Sequence, residues 1–348
     1  MDKILTVVIP TYNMEKYLRK CLDSLIIDDK DLFDKLEVLI VNDGSKDSSS
    51  AIAHEYQDNY PNVFRVIDKE NGGHGSCCNV GLREAQGKYI HFLDSDDWFD
   101  KDFSTYLERI SKLDVDVILT KRVDEYAEIG LSKVHHHDAE YDKLYNIEDF
   151  DYTKIAHTLF SIHESTFSVE MIRKNRIVFI EHCSYDDTIL RIAPFPSIKQ
   201  FYMMDIVLYH YLLGRPGQSM APNVYRKKLG QLEMNVFQLL DYVANMNTDG
   251  LPRNVKKYIQ YVFVVHANLI LRDYIRTKAP DRKQDVLRCY NKLCQYKYRM
   301  WMEGSEFFKE LSNNHSSCSL YSRFLYSDIL TILRKVYHYI RCKRPKVF

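Results

Sequence analysis

Three carboxylates crowd into four residues at Asp94, Asp96 and Asp97, directly after the apolar run at 89–93. Like charges this close repel one another unless a cation, hydrogen-bond donors or water offset the repulsion. Residues two apart in an extended chain point to the same side, so Asp94 and Asp96 can share one divalent ion or its water shell. The structural alternative is that one of these polar residues caps the helix predicted just downstream.

The first 120 residues alternate short apolar runs with amphipathic, helix-like stretches. The apolar runs lie at 4–9, 36–41, 63–67, 89–93 and 115–119. This spacing predicts an α/β fold with a parallel sheet covered by helices. Polar clusters follow four of these runs, at 10–13, 42–45, 71–75 and 94–97. Ligands of such sheets bind at the carboxyl ends of the strands, so the four clusters are predicted to share one crevice.

Composition excludes several classes of protein. The 348 residues carry 48 Lys plus Arg and 48 Asp plus Glu, so no overall charge favours a nucleic-acid partner. The eight cysteines lack the paired short spacings of zinc or redox sites and are predicted to be reduced thiols. Neither a signal peptide nor a transmembrane segment is apparent, which predicts a cytoplasmic location.

The chain is predicted to divide into an α/β region at 1–220, which carries the crevice, and a helical C-terminal region at 221–348. Long helical periodicity covers 229–246, 255–275, 281–302 and 319–341. The last of these is amphipathic and ends in a basic tail. It is predicted either to lie on the inner face of an anionic membrane or to pack against the core or a second copy in a homo-oligomer. The three consecutive histidines at 135–137 are predicted to lie in an exposed loop or strand.

The predicted metal site and the glycine-rich turns suit a diphosphate-bearing ligand, yet the fingerprints of P-loop and dinucleotide-binding proteins are missing. The four strand-end motifs instead resemble those of the large second family of inverting glycosyltransferases. The matching segments are 7–13, 41–47, 71–75 with Asn79 and Gly81, and 92–97. The resemblance implies a GT-A fold, which is Rossmann-like with a mainly parallel mixed sheet flanked by helices, followed here by the helical region.

The resemblance assigns the residues of the first two loops to the nucleotide. Pro10, Thr11 and Tyr12 look like the loop that lies against the base and ribose. Asp43 looks like the acid that accepts a hydrogen bond from the imide N–H of the base, which favours uracil over cytosine because cytosine lacks that donor. The nucleotide-binding positions expected from the later motifs are Asn71, Gly73 and Ser95. UDP is thus the expected nucleotide, with dTDP and GDP left open.

The resemblance also gives roles to the carboxylates. Asp96 is expected to ligate Mn2+ or Mg2+ directly, and Asp94 to contact the ribose, the ion or its bound water. One departure is that Cys77-Cys78-Asn79 stands where the family often has Ala-Arg-Asn. Arg83 or Arg215 is expected to replace the missing arginine.

An inverting transfer needs a general base on the acceptor side of the anomeric carbon. Tyr185-Asp186-Asp187 resembles the acid pair whose second member takes the proton, so Asp187 is the candidate catalytic residue. The alternative is another helix cap. The loop at 214–219 resembles one that closes over the donor, with Arg215 able to pair with the diphosphate.

The sequence therefore predicts a hexosyl- or N-acetylhexosaminyltransferase that moves one sugar from a UDP-sugar to a hydroxyl of a glycan or polyprenyl-linked glycan in surface polysaccharide assembly. Two alternatives remain. One is a non-catalytic nucleotide-sugar-binding protein of the same fold, and the other is a haloacid-dehalogenase-type phosphohydrolase, which also places two aspartates after a strand.

Overall fold

The computed structural model describes most of the first 259 residues and a few beyond. The described residues are 2–149, 151, 160–215, 217–218, 224, 228–246, 250–259, 262 and 288. The helices predicted at 281–302 and 319–341, with most of the one at 255–275, lie outside them. The described chain forms one ten-stranded mixed sheet in the order β3-β2-β1-β4-β9-β6-β10-β5, with β7 paired to β6 and β8 to β10.

Four parallel strands form one half of the sheet, as the alternating pattern predicted. They are β1 (Leu5–Thr11), β2 (Leu36–Asn42), β3 (Phe64–Asp68) and β4 (Tyr89–Phe92). Both β1 and β2 are buried along their whole length, because helices cover the two faces of the sheet. These helices are α1 (Leu18–Asp23), α2 (Lys30–Phe33), α3 (Ser49–Asn59) and α4 (His74–Glu84).

The other half of the sheet is mostly antiparallel. Its strands are β5 (Trp98–Phe99), β6 (Val117–Tyr126), β7 (Leu131–His135), β8 (Lys143–Asn146), β9 (Ser165–Ser168) and β10 (Gln200–Leu213). Helix α5 (Phe103–Ile110) precedes β6. Only β6 and β10 run parallel to each other in this half. The α/β prediction is confirmed, but the parallel part is narrower than the sequence suggested.

The segment at 165–174 contains a short strand followed by a helix. Residues 165–168 form β9, which pairs with both β4 and β6 and so joins the two halves of the sheet. Helix α6 (Val169–Lys174) begins only after Ser168, whose side chain accepts a hydrogen bond from the Met171 amide. Pairing on both sides outweighs the local helical preference of this segment.

Packing joins the first helix of the C-terminal region to the rest of the chain. Helix α7 (Leu229–Asn245) confirms the helix predicted at 229–246 and buries Leu239 and Val243 in the core that covers one face of the sheet. The boundary near residue 220 stays a prediction. Within the described part of the chain, no helix has the length and apolar character needed to cross a membrane.

Candidate active site

Two loops at the carboxyl ends of β1 and β2 are tied together by short polar bonds. The Asn13 side chain accepts a hydrogen bond from the Lys46 amide, at 2.8 Å, and the Asn13 amide donates to the Ser45 hydroxyl. Asp47 accepts from the amides of Glu15 and Ser49. These bonds hold the two loops as one rigid wall of the crevice.

Asp43 lies in a cradle of donors at the end of β2. Its buried carboxylate accepts hydrogen bonds from the Lys69 ammonium at 2.6 Å and from the amides of Gly72 and Gly73, both at 2.8 Å. The Asn71 side chain donates to the Asp43 carbonyl. The loop after β3 therefore wraps around this one carboxylate, which explains why the motif residues at 43 and at 71–73 occur together.

The remaining residues of the first motif differ in exposure. Pro10 and Thr11 belong to β1 and are buried, and the Thr11 hydroxyl donates to the Ile9 carbonyl within the strand. Tyr12 is 44% exposed, so its ring is the part of this motif that can meet a ligand. Ser95 is buried.

Asp94 lies between two histidines. Its carboxylate is 3.2 Å from His74 Nε2 and 3.6 Å from His163 Nε2. Burial alone would raise the pKa of Asp94, but the bonds from His163 and His74 outweigh it and lower that pKa. Asp94 is therefore ionised at neutral pH.

Asp97 does not cap a helix, which corrects one alternative considered from the sequence. It is buried, and its two oxygens accept hydrogen bonds from the Tyr209 hydroxyl at 2.6 Å and the Leu212 amide at 2.8 Å. Burial, together with the charges of Asp96 and Asp94, raises the pKa of Asp97 well above its usual range. Asp97 thus holds the C-terminal end of β10 next to the acidic cluster.

The two candidate arginines lie in different places. Arg215 contacts the Asp96 carboxylate directly. Arg83 is 66% exposed, bonds to Glu84 and lies at the far end of α4 from His74, about 14 Å along the helix axis. The structure thus brings Arg215 to the acidic cluster and does not bring Arg83 there, which corrects the expectation for Arg83.

Negative charge exceeds positive charge in the acidic cluster. Burial and the charge of Asp94 raise the pKa of Asp96, even though Arg215 acts in the opposite direction. Among the described residues, one group can offer three ligand atoms to a metal ion. It consists of Asp94, Asp97 and His163, whose ligand atoms all lie within 4.8 Å of one another. Oxygen and imidazole nitrogen together suit a divalent transition metal ion.

The acid pair lies opposite this cluster, in a 3-10 helix at Asp186–Arg191. Asp186 is buried and bonded to His74 Nδ1 at 3.0 Å. Asp187 is half-buried, and its carboxylate has no hydrogen bond to any residue that the structure describes. Asp187 is therefore available to a substrate, and it makes no capping bond.

Sequence reasoning missed two histidines. His163 precedes β9 and packs against the rings of Tyr209 and Tyr211, and nothing in its local sequence marks it. His74 lies inside the glycine motif at 71–75, and that position was a usable signal. In the triplet at 135–137, His137 is buried, so only part of that segment is exposed as expected.

Taken together, the sheet and the crevice define an α/β protein of the GT-A type. The fold is similar to that of residues 1–349 of TarS from S. aureus, in a crystal structure with UDP-GlcNAc, with a TM-score of 0.58 and 19% sequence identity over 82% of this chain and 89% of that chain. At this identity, the similarity demonstrates the fold alone.

The sequence comparisons identify the family. Residues 6–176 match the model of glycosyl transferase family 2. A putative glycosyltransferase, EpsH of Bacillus subtilis, is 27% identical over 83% of this chain and 82% of its own length. The minor teichoic acid biosynthesis protein GgaB of Bacillus subtilis is 31% identical over 62% of this chain, which spans only 23% of GgaB. Residues 6–176 therefore form a glycosyl transferase family 2 domain, and the chain is a glycosyltransferase, so the phosphohydrolase alternative was wrong.

Proposed function

We propose that this glycosyltransferase moves one hexosyl or N-acetylhexosaminyl group from a UDP-sugar to a hydroxyl of a glycan or lipid-linked glycan, with inversion, in cell-surface polysaccharide biosynthesis. The observation that carries the proposal is the meeting of three features at one sheet edge. These are the Asp43 cradle, the acidic cluster at Asp94–Asp97 and the unbonded carboxylate of Asp187. The name of GgaB and the UDP-GlcNAc complex of TarS support the setting and the donor class.

The nucleoside would bind between Tyr12 and Asp43. The exposed Tyr12 ring offers a flat surface for a base. Within the described residues, Asp43 Oδ2 accepts only the Gly73 amide, so it keeps a lone pair for one more donor. The imide N–H of uracil supplies that donor, whereas the ring nitrogen of cytosine at the same position is an acceptor. Uridine is therefore the nucleoside that this site fits best.

The donor set fits a divalent cation. Asp94 and Asp96 would hold Mn2+ or Mg2+. The ligand atoms that lie within 4.8 Å of one another in the structure belong to Asp94, Asp97 and His163, so His163 would add a nitrogen ligand. The excess of buried carboxylate charge, visible in the raised pKa values of Asp96 and Asp97, supports a cation here. A bound ion would neutralise charge on the leaving diphosphate. Arg215 of the loop at 214–219 contacts Asp96 in the structure. Its guanidinium can pair with the same diphosphate.

Asp187 would act as the general base. Its carboxylate takes the proton of the acceptor hydroxyl while the hydroxyl oxygen attacks the anomeric carbon. The bond between that carbon and the β-phosphate oxygen breaks, and UDP leaves on the opposite face. Attack from the face opposite the leaving group inverts the anomeric configuration.

The proposed acceptor bears on where the protein works. A polyprenyl-linked acceptor would place the protein at the inner face of the membrane, where the predicted amphipathic helix at 319–341 could bind. That segment lies outside the described residues, so membrane contact and homo-oligomer formation stay predictions. Pelleting the full chain with anionic liposomes tests membrane contact, with a chain ending at Ser319 as the comparison. Equal binding by the two would contradict the role of the helix.

A thermal-shift screen of UDP-, GDP- and dTDP-sugars with Mn2+ tests the donor. A ligand at a hundredfold excess over its Kd stabilises the folded state by about 2.7 kcal/mol, so a true donor gives a clear shift. We expect the largest shift from a UDP-sugar, and none with EDTA present. Release of UDP from that sugar, with or without acceptor, separates an enzyme from a non-catalytic binding protein. A stabilising UDP-sugar that never releases UDP would favour the binding protein.

A further inference from the structure

The imidazole of His74 lies between two carboxylates from opposite sides of the crevice. Its Nε2 is 3.2 Å from Asp94, on the donor side, and its Nδ1 is 3.0 Å from Asp186, on the acceptor side. The side chain is about one-third exposed, at 31%, so it faces the crevice while it bonds both acids. Each ring nitrogen therefore donates to one carboxylate when the ring is protonated.

His74 is the hydrogen-bond partner of Asp186 among the described residues. Asp186 is only 3% exposed, so a carboxylate there without a partner would carry a large desolvation cost. Asp187 follows directly in the chain, and Tyr185 precedes the pair with a left-handed φ of 65°. The backbone that carries the acid pair is thus set into an uncommon conformation, and Asp186 is its polar anchor.

The segment before the acid pair docks on the start of α4 through backbone contacts. The His182 amide donates to the Gly72 carbonyl at 2.6 Å, and the Asn79 side chain bonds both the amide and the carbonyl of Phe179. Gly75 is required for this fit, because a Cβ there would lie 2.2 Å from the Ile180 carbonyl oxygen. These contacts fix the segment on α4, but they do not reach Asp94.

We propose that His74 is a positioning residue that sets Asp187 relative to Asp94 by tying Asp186 to the donor side of the crevice. The inference rests on the proposed function, in which Asp187 is the base. In that reaction the base must meet the acceptor hydroxyl opposite the leaving group, so its distance from the donor-side carboxylates decides the geometry of attack. A displacement of about 1 Å in such a group can lower the rate about a hundredfold.

Two simpler roles for His74 give different results. If His74 only neutralises the buried Asp186, Asp186→Asn should keep kcat near wild type, and replacing both residues by Asn should restore both stability and turnover. If His74 serves the donor alone, its replacement should weaken donor binding as much as it lowers turnover. The positioning role instead predicts a loss in kcat with donor affinity kept, and one shared loss for His74 and Asp186.

The experiment is a double-substitution cycle on the full chain with the UDP-sugar that supports transfer, Mn2+ and acceptor. His74→Asn, Asp186→Asn and the pair are compared for kcat and for donor Kd by calorimetry. The matched control is His182→Asn, because His182 is an exposed histidine of the docked segment whose φ of 53° asparagine tolerates. If His74→Asn does not fold, His74→Gln, whose amide keeps one donor group, takes its place in the cycle.

We expect His74→Asn to lower kcat about 30-fold or more, to keep the donor Kd within about threefold, and to give no further loss when Asp186→Asn is added. The control should stay near wild type. A kcat within threefold of wild type, a parallel loss of donor affinity, or losses that multiply in the pair would overturn the inference. Absence of transfer by the wild-type protein with every donor would instead count against the proposed function.

Discussion

Replacing Asp187 by Asn changes one oxygen of a carboxylate that makes no hydrogen bond to the described residues. Because no partner is lost, we expect the free energy of unfolding to change by no more than about 0.5 kcal/mol. Donor binding should also be kept, since Asp43 and the acidic cluster are unchanged. A general base contributes about 10²- to 10⁴-fold to the rate, so we expect kcat to fall by that factor, equivalent to about 3–5.5 kcal/mol.

The assay is transfer from the UDP-sugar identified by thermal shift, followed by UDP release, with the donor Kd measured by calorimetry on the same preparation. The matched control is Glu181→Gln, because Glu181 is an exposed carboxylate that lies just before the acid pair. The control should keep wild-type turnover. Transfer by Asp187→Asn within threefold of wild type would remove Asp187 from the base role and refute the reasoning.

The other predictions concern binding, packing and pH. Asp43→Asn replaces a carboxylate that accepts from three donors, so the free energy of unfolding in urea should fall by about 2–3 kcal/mol. Calorimetry should show weaker binding of UDP, and an unchanged Kd would contradict the role of the Asp43 cradle. Gly75→Ala should push the acceptor-side segment away, lowering kcat with little change in UDP affinity; full activity would contradict the close packing. Burial lowers the pKa of His91 to about 3, below its value of about 6.5 in the unfolded chain, so the unfolded state takes up the proton first on acidification. The free energy of unfolding at pH 5 should therefore be about 2 kcal/mol lower than at pH 8 because of His91. His91→Gln should remove this part of the pH dependence of the free energy of unfolding.

The parallel half of the fold could be predicted because each strand there is buried on both faces. Such strands read as continuous apolar runs, and the polar residues that follow them stand out in the sequence. Asp43 and Asp94 were found in this way, whereas Asp187 was found through the resemblance of Tyr185-Asp186-Asp187 to the acid pair of the family. The antiparallel half carries no comparable signal, since the role of β9 depends on strands that lie far from it in the sequence.

Side-chain partners were harder to predict than loops. Arg83 was expected to replace the arginine that the family often has where Cys78 stands, but it lies at the opposite end of α4 from His74. The partners of Asp94 are His74, at the start of α4, and His163, in the segment before β9. In the chain they lie 20 and 69 residues from Asp94. Only the folded sheet brings these groups together, so local spacing could not reveal them.

The measurement that tests the central claim most directly is calorimetric titration of UDP into the wild-type protein and into Asp96→Asn, each with Mn2+ and with EDTA. We predict binding of UDP to the wild-type protein that needs Mn2+, and loss of that Mn2+ effect in the variant. Binding of UDP with the same affinity in EDTA, or a full Mn2+ effect in Asp96→Asn, would contradict a metal-assisted UDP-sugar site at the acidic cluster.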